Sequence, residues 1–368
     1  MKEHILKQVE ANQQEMIEGI KKIVAMPSVE TEASDNAPFG EDIALTLKET
    51  LKLAEGLGFQ TYNLDNYIGW AQYGEGDDYI GVIGHLDVVP VGEGWKHPPF
   101  SAYEEDGYIY SRGILDNKGP ILSCLYALYA IKQLNIELKK PVRIIFGCDE
   151  ESGFVDLQYY LDHEKPPVMG WTPDCKYPVV YGERGRAVIE ISAHENEVDA
   201  FFEFVNTYFM NAKMNGERLG VDYTDKEFGT NEMRNYALKH RDGKLIFSVT
   251  FSYPAGLTLE TILEKISEKA GNFTVECVSH YFPVKFDKDC PMVKSLQNAY
   301  EEVTDLDGTP VTTTGGTYAK LMPNIVPFGP SFPGQKGIGH QPNEWMTIED
   351  LMTNAKIYAL SLYYLANL

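Results

Sequence analysis

Cysteine is sparse in this chain. Its 368 residues hold five, Cys124, Cys148, Cys175, Cys277 and Cys290, with no Cys-x-x-Cys pair. An odd, scattered set argues against a disulfide framework and for reduced thiols in a cytosolic, cytoplasmic protein. Long hydrophobic runs are missing as well. No window reaches the ~18 apolar residues that a membrane span needs. Met1 to Gln14 is charged and helical in pattern, without the apolar run and small-residue cleavage site of a secretory signal. Positive charge is in deficit: 32 Lys and Arg stand against 54 Asp and Glu, a formal net charge of −22. That excess repels phosphate backbones and anionic lipid, so neither nucleic acid nor a membrane is the expected partner. Pro and Gly punctuate the chain without dominating any stretch, and no repeat is evident.

What is present is a globular composition, 43% apolar, at a length that favours two domains. Residues 14–26 and 41–57 carry apolar residues at helical spacing. Tyr79 to Gly84, Tyr108 to Tyr110, Val142 to Gly147 and Val168 to Trp171 read as strands. Asn117 to Leu134 reads as a helix, with Asp116 and Asn117 able to cap it and Pro120 in its first turn. This alternation is that of an α/β layered sheet. After Gly185 the pattern changes. Ala187 to Ala193 alternates as a strand, Val198 to Met210 is helical, and Met233 to Tyr253 forms a hairpin. Leu257 to Ala270 is a helix and Phe273 to Val278 a strand. That order is ferredoxin-like. The expectation is therefore a discontinuous α/β domain, residues 1–184 and 283–368, interrupted by an α+β domain at 185–282.

Five short motifs carry candidate chemistry. In His85-Leu86-Asp87, directly after a strand, His85 can bind a metal while Asp87 orients its ring. Asp116 lies in Gly113-Ile114-Leu115-Asp116-Asn117-Lys118-Gly119, at a helix entrance where an Asp is usually just a cap. Asp149-Glu150-Glu151 follows a buried strand, and adjacent carboxylates there repel unless a cation or proton relieves them. Asp174 also follows a strand, and His340 sits in a Gly-rich loop. Together they make the inventory of a site for two divalent ions. Asp116 would bridge the ions, His85 and Asp174 would complete one, and Glu151 and His340 the other. Glu150 is left over beside the ligands, which suits a general base.

These motifs, in this order, resemble the M20 family of metallopeptidases, and within it the dipeptidase subset called PepV-like. Thr314-Gly315-Gly316-Thr317-Tyr318-Ala319 is similar to that subset's Gly-rich substrate loop, and Gly216-Glu217-Arg218-Leu219-Gly220 to part of its lid. The resemblance implies His85, Asp116, Glu151, Asp174 and His340 as metal ligands and Glu150 and Asp87 as catalytic residues. Gly315, Gly316 and Thr317 would bind substrate. It implies a mixed-sheet catalytic domain of the zinc-peptidase type and an inserted lid. It implies two divalent ions, Zn2+ foremost, with Mn2+ or Co2+ as alternatives. The substrate would be a small peptide. An N-acyl amino acid cleaved by the same chemistry, or a non-catalytic metal-binding protein, are the alternatives. Oligomeric state stays open.

The chain also departs from that pattern. The lid is short: the strand at Ala187 to Ala193 runs almost directly into the helix near Val198. The stretch that carries a lid histidine in the subset is missing, and His194 and His240 lack its context. Phe251-Ser252-Tyr253-Pro254 has Ser252 where relatives often place a carboxylate-gripping Arg, a recognition that a hydroxyl does not replace. Thr314 and Lys320 stand where the subset tends to have Gly and Arg.

Overall fold

Ile80–His85 and Val142–Gly147 are short runs rich in Val and Ile, buried along almost their whole length. Strands covered on both faces need such sequences. They lie at the middle of a six-stranded sheet in a computed structural model that describes residues 1–368. The strand order is Gln60–Leu64, Ile68–Tyr73, Val142–Gly147, Ile80–His85, Met169–Thr172, Ile325–Pro327. The last four are parallel, and the first two run antiparallel, so the sheet is mixed as expected. Parallel strands end on one rim. In register, His85 lies beside Gly147, so the turns after Gly147 and Thr172 open on the same rim as His85. Sites in open α/β sheets form at that rim.

The Lys118–Gln133 helix is buried on nearly every side and packs on the Ile80–His85 strand and the Ile348–Leu365 helix. Gly84 permits this approach, because a Cβ there would strike Asn117 and Ile121. No helix is long and apolar enough to cross a membrane.

The chain divides into two compact units. Residues 1–180, 287–310 and 317–368 form the first, and residues 181–286 with 311–316 form the second. In the second, four antiparallel strands run in the order Glu232–Arg241, Lys244–Tyr253, Gly185–His194, Thr274–Tyr281. Helices Val198–Val205 and Leu259–Ala270 share their core, which includes Ile189, Ile191, Phe201, Phe204, Phe251 and Ile266. This is the ferredoxin-like arrangement expected from the element order.

Two expectations need correction. The segment 311–316 groups with the second unit, because Val311–Thr313 joins a sheet with Val180–Glu183 and Val284–Lys285. Gly315 and Gly316 therefore belong to the second unit and Thr317 to the first. The helix expected to reach Met210 is α-helical only to Val205, then widens into a π-turn over Asn206–Met210. Asn206, Thr207 and Tyr208 are all poorer helix formers than Ala or Leu.

Candidate metal centre

His85 ends a central strand with its ring fully buried. Its Nδ1 lies 2.9 Å from the backbone carbonyl of Asp87, which leaves Nε2 directed at Asp116 Oδ1, 3.1 Å away. Asp174 Oδ2 is 3.8 Å from the same Nε2. Asp116 turns its other oxygen to His340, with Oδ2 2.9 Å from Nε2. Glu151 Oε1 is 2.8 Å from that nitrogen. Two groups result, His85 with Asp116 and Asp174, and Asp116 with Glu151 and His340; in each the donor atoms lie within 4.8 Å of one another. Asp116 is common to both, with one oxygen for each. The imidazole and carboxylate donors of each group suit divalent zinc, manganese or cobalt. All five residues belong to the first unit.

Local structure explains the placement. The Asp149–Glu151 turn hangs on buried carboxylates: Asp87 accepts the N–H groups of Glu150 and Glu151 at 3.2 and 3.0 Å. Asp87 was expected to orient the ring of His85. Its carbonyl and its carboxylate both face Nδ1, at 2.9 and 3.4 Å, and the carboxylate also holds the turn. Asp156 Oδ2 accepts the N–H groups of Cys148 and Asp149, at 2.6 and 3.1 Å, and the hydroxyl of Tyr318. The Asp116 loop hangs on Glu344, which accepts the N–H groups of Leu115 and Asp116 at 2.9 and 3.1 Å and pairs with buried Arg112 at 2.7 Å. His340 sits at φ 62°, in the left-handed region that a non-Gly residue adopts only under surrounding constraint.

Asn117 occupies the N-cap position of its helix but makes no capping bond. Its Oδ1 accepts the His85 N–H at 3.3 Å and its Nδ2 donates to the Pro173 carbonyl at 2.6 Å, tying three motifs together. Asp116 is not a cap either; its side chain faces the two histidines. The Asp116–Asn117 peptide is cis.

Electrostatics follow from this crowding. Burial works to raise Asp116, but His340 and His85 bonded to its carboxylate hold it below the usual range. The same contacts with Asp116 and Glu151 push His340 up to about 10. Burial, with Asp174 next in weight, drives Glu150 well above an ordinary carboxylate. Burial also raises Glu344 to about 7 and lowers Lys118 to about 7.

Other candidates lie elsewhere. His194 is exposed, and His240 is half exposed with Nε2 2.6 Å from Glu195. The Ser252 hydroxyl is 3.4 Å from the Thr314 carbonyl, which Arg234 also approaches at 3.3 Å. Thr317 uses its hydroxyl to cap the Tyr318–Lys320 turn, accepting from Ala319 N–H at 3.2 Å. Sequence reasoning missed Glu344, Asp156 and Tyr318. Tyr318 stands inside the Gly-rich motif and Glu344 four residues after His340, but nothing local marks them as partners of distant loops.

Residues 81–363 match the profile described as Peptidase family M20/M25/M40. YtjP of Bacillus subtilis (strain 168), provisionally named a dipeptidase, is 28% identical over 96% of this chain and 97% of its own. That alignment is 453 positions long against a chain of 368 residues, so at least 85 positions of the relative have no counterpart here. The Beta-Ala-Xaa dipeptidase of Lactobacillus delbrueckii subsp. lactis is 27% identical over 97% of both chains. Among solved structures, the M20 family metallo-carboxypeptidase Sso-CP2 from Sulfolobus solfataricus superposes with a TM-score of 0.73 at 17% identity, over 96% of this chain and 99% of that one.

Proposed function

The chain belongs to peptidase family M20/M25/M40, and from that premise we propose that it is a two-metal dipeptidase. The observation that carries the reading is Asp116, one carboxylate whose two oxygens face two different histidines, each with a further carboxylate beside it. The substrate class rests on the dipeptidase names of the relatives, which this chain matches from end to end.

His85, Asp116 and Asp174 would hold one ion, and Asp116, Glu151 and His340 the other. A pair of dications bound there supplies Lewis acidity toward an amide carbonyl and makes water a better nucleophile near neutral pH. Zinc fits the donors best, with manganese and cobalt close behind. Glu150 has no place among the ligands. It takes the proton from the attacking water and hands it to the leaving amine. Asp87 fixes the backbone that carries it by accepting the N–H groups of Glu150 and Glu151. Thr317, in the same unit as the centre, would line the substrate path. Five free cysteines fit a reducing, cytoplasmic setting.

The test is Glu150→Gln on purified, metal-loaded protein with a panel of dipeptides and N-acyl amino acids. We expect turnover of dipeptides to fall by about 10²–10⁴-fold with metal content unchanged. Full activity in the variant would remove Glu150 as the base. Turnover confined to N-acyl amino acids would replace the dipeptide assignment.

A further inference from the structure

Beside the candidate centre lies a cavity of about 290 Å³ whose wall begins at Asp116 and Asp174 and continues through Lys176, Ser331, Lys336 and Gly339. We propose that this cavity receives a carboxylate group of the substrate, held by Lys176 and Lys336. The inference rests on the peptidase reading above and adds a substrate preference to it.

Three observations lead there. First, the two ammonium groups have no carboxylate partner in the structure. Elsewhere Lys2, Lys22, Lys239 and Lys285 are each held by a glutamate, in a chain with a net charge of −22. The wall of this cavity thus carries two cationic side chains that are not committed to a protein carboxylate. Second, both are set on fixed backbone. Lys176 pairs in parallel register with Ser331, which places them side by side. Lys336 follows Gln335, whose Oε1 accepts the Phe332 N–H and whose Nε2 donates to Asp350, both at 2.9 Å, pinning the loop at its base. Third, the cavity opens on the groups proposed to hold the ions, so an anion seated in it belongs to a molecule that also reaches the centre. All of these residues lie in the first unit. A neutral or cationic substrate group would leave both ammonium groups unused.

The carboxylate can come from an acidic side chain or from the peptide's own terminus. Rates of the metal-loaded enzyme separate the sources: Ala-Glu against Ala-Gln, Glu-Ala against Gln-Ala, and Ala-Ala against its amide. Two solvent-accessible ion pairs acting together predict a preference of about two- to thirtyfold in kcat/KM for the charged member of at least one pair. Added salt should shrink it. The Lys176→Gln/Lys336→Gln variant should lose that preference through KM, with kcat on the uncharged member kept. A wild-type ratio at or below one in every arm, or a preference unchanged in the variant, overturns the proposal. A second readout does not depend on turnover. In the Glu150→Gln protein, Ala-Glu should slow acetylation of Lys176 and Lys336, followed by peptide mass spectrometry, more than Ala-Gln does, with the other lysines as internal reference. Equal protection by both peptides also overturns it. If no dipeptide is cleaved at all, the dipeptidase reading fails, and the labelling result still decides the cavity.

Discussion

Arg112 and Glu344 are both almost fully buried, 2.7 Å apart, and Glu344 supports the loop that carries Asp116. A buried ion pair adds little net stability, but removing one partner strands the other. Arg112→Met should therefore cost about 3–5 kcal/mol, measured by chemical denaturation. A loss near zero would mean that Glu344 is not stranded. Asp87→Ala leaves the N–H groups of Glu150 and Glu151 without acceptors. We expect kcat to fall while the His85 ring keeps its bond to the residue-87 carbonyl, so zinc content should hold near the wild-type value by elemental analysis. At this scale much was legible beforehand. His85, Glu151, Asp174 and His340 each sit at a strand end or Gly-rich turn, and the five motifs occur together. Asp116, taken alone, read more readily as a cap, because a helix entrance does not say which way an Asp faces. Glu344 was illegible for a different reason: its partner Arg112 is 232 residues away, and no local spacing reports such a contact.

Among the elements, the end of the Val142–Gly147 strand leaves no room for a side chain at Gly147. A Cβ on Gly147 would overlap the Tyr318 hydroxyl and approach Asp156. Tyr318 is fully buried, and its bond to Asp156 joins the end of the Gly-rich loop to the turn that bears Glu150. Gly147→Ala should destabilise by roughly 1–3 kcal/mol, as overpacking does. Adding Tyr318→Phe should recover part of that loss, read as the shift in thermal midpoint between single and double variants. No recovery would show that the strain lies in the strand backbone. Strands and helices were readable where the pattern was strong, as in Val142–Gly147, where only Arg143 interrupts the apolar run. Readability failed at Asn206–Met210, where apolar residues continue past the end of the α-helix and conceal the change of winding. It failed again at Val311–Thr313, since three residues do not announce which sheet they will join.

Taken whole, the molecule is a mixed-sheet unit with its candidate ligand groups on one rim and a ferredoxin-like unit whose chain segment interrupts it. The change of pattern near Gly185 made the insertion legible. The distant join of residues 311–316 was not, because domain membership depends on contacts rather than chain position. The alignment with YtjP leaves 85 or more of that protein's positions without a counterpart here. Dialysis against a chelator should abolish turnover, and Zn2+, Mn2+ or Co2+ added back should restore it, since the acidic ligands and Glu150 cannot polarise a carbonyl alone. The most direct test of the paired centre is anomalous diffraction from a crystal of the Glu150→Gln protein grown with zinc. Two peaks are predicted, one among His85, Asp116 and Asp174 and one among Asp116, Glu151 and His340. A single peak, or zinc bound away from Asp116, would contradict it.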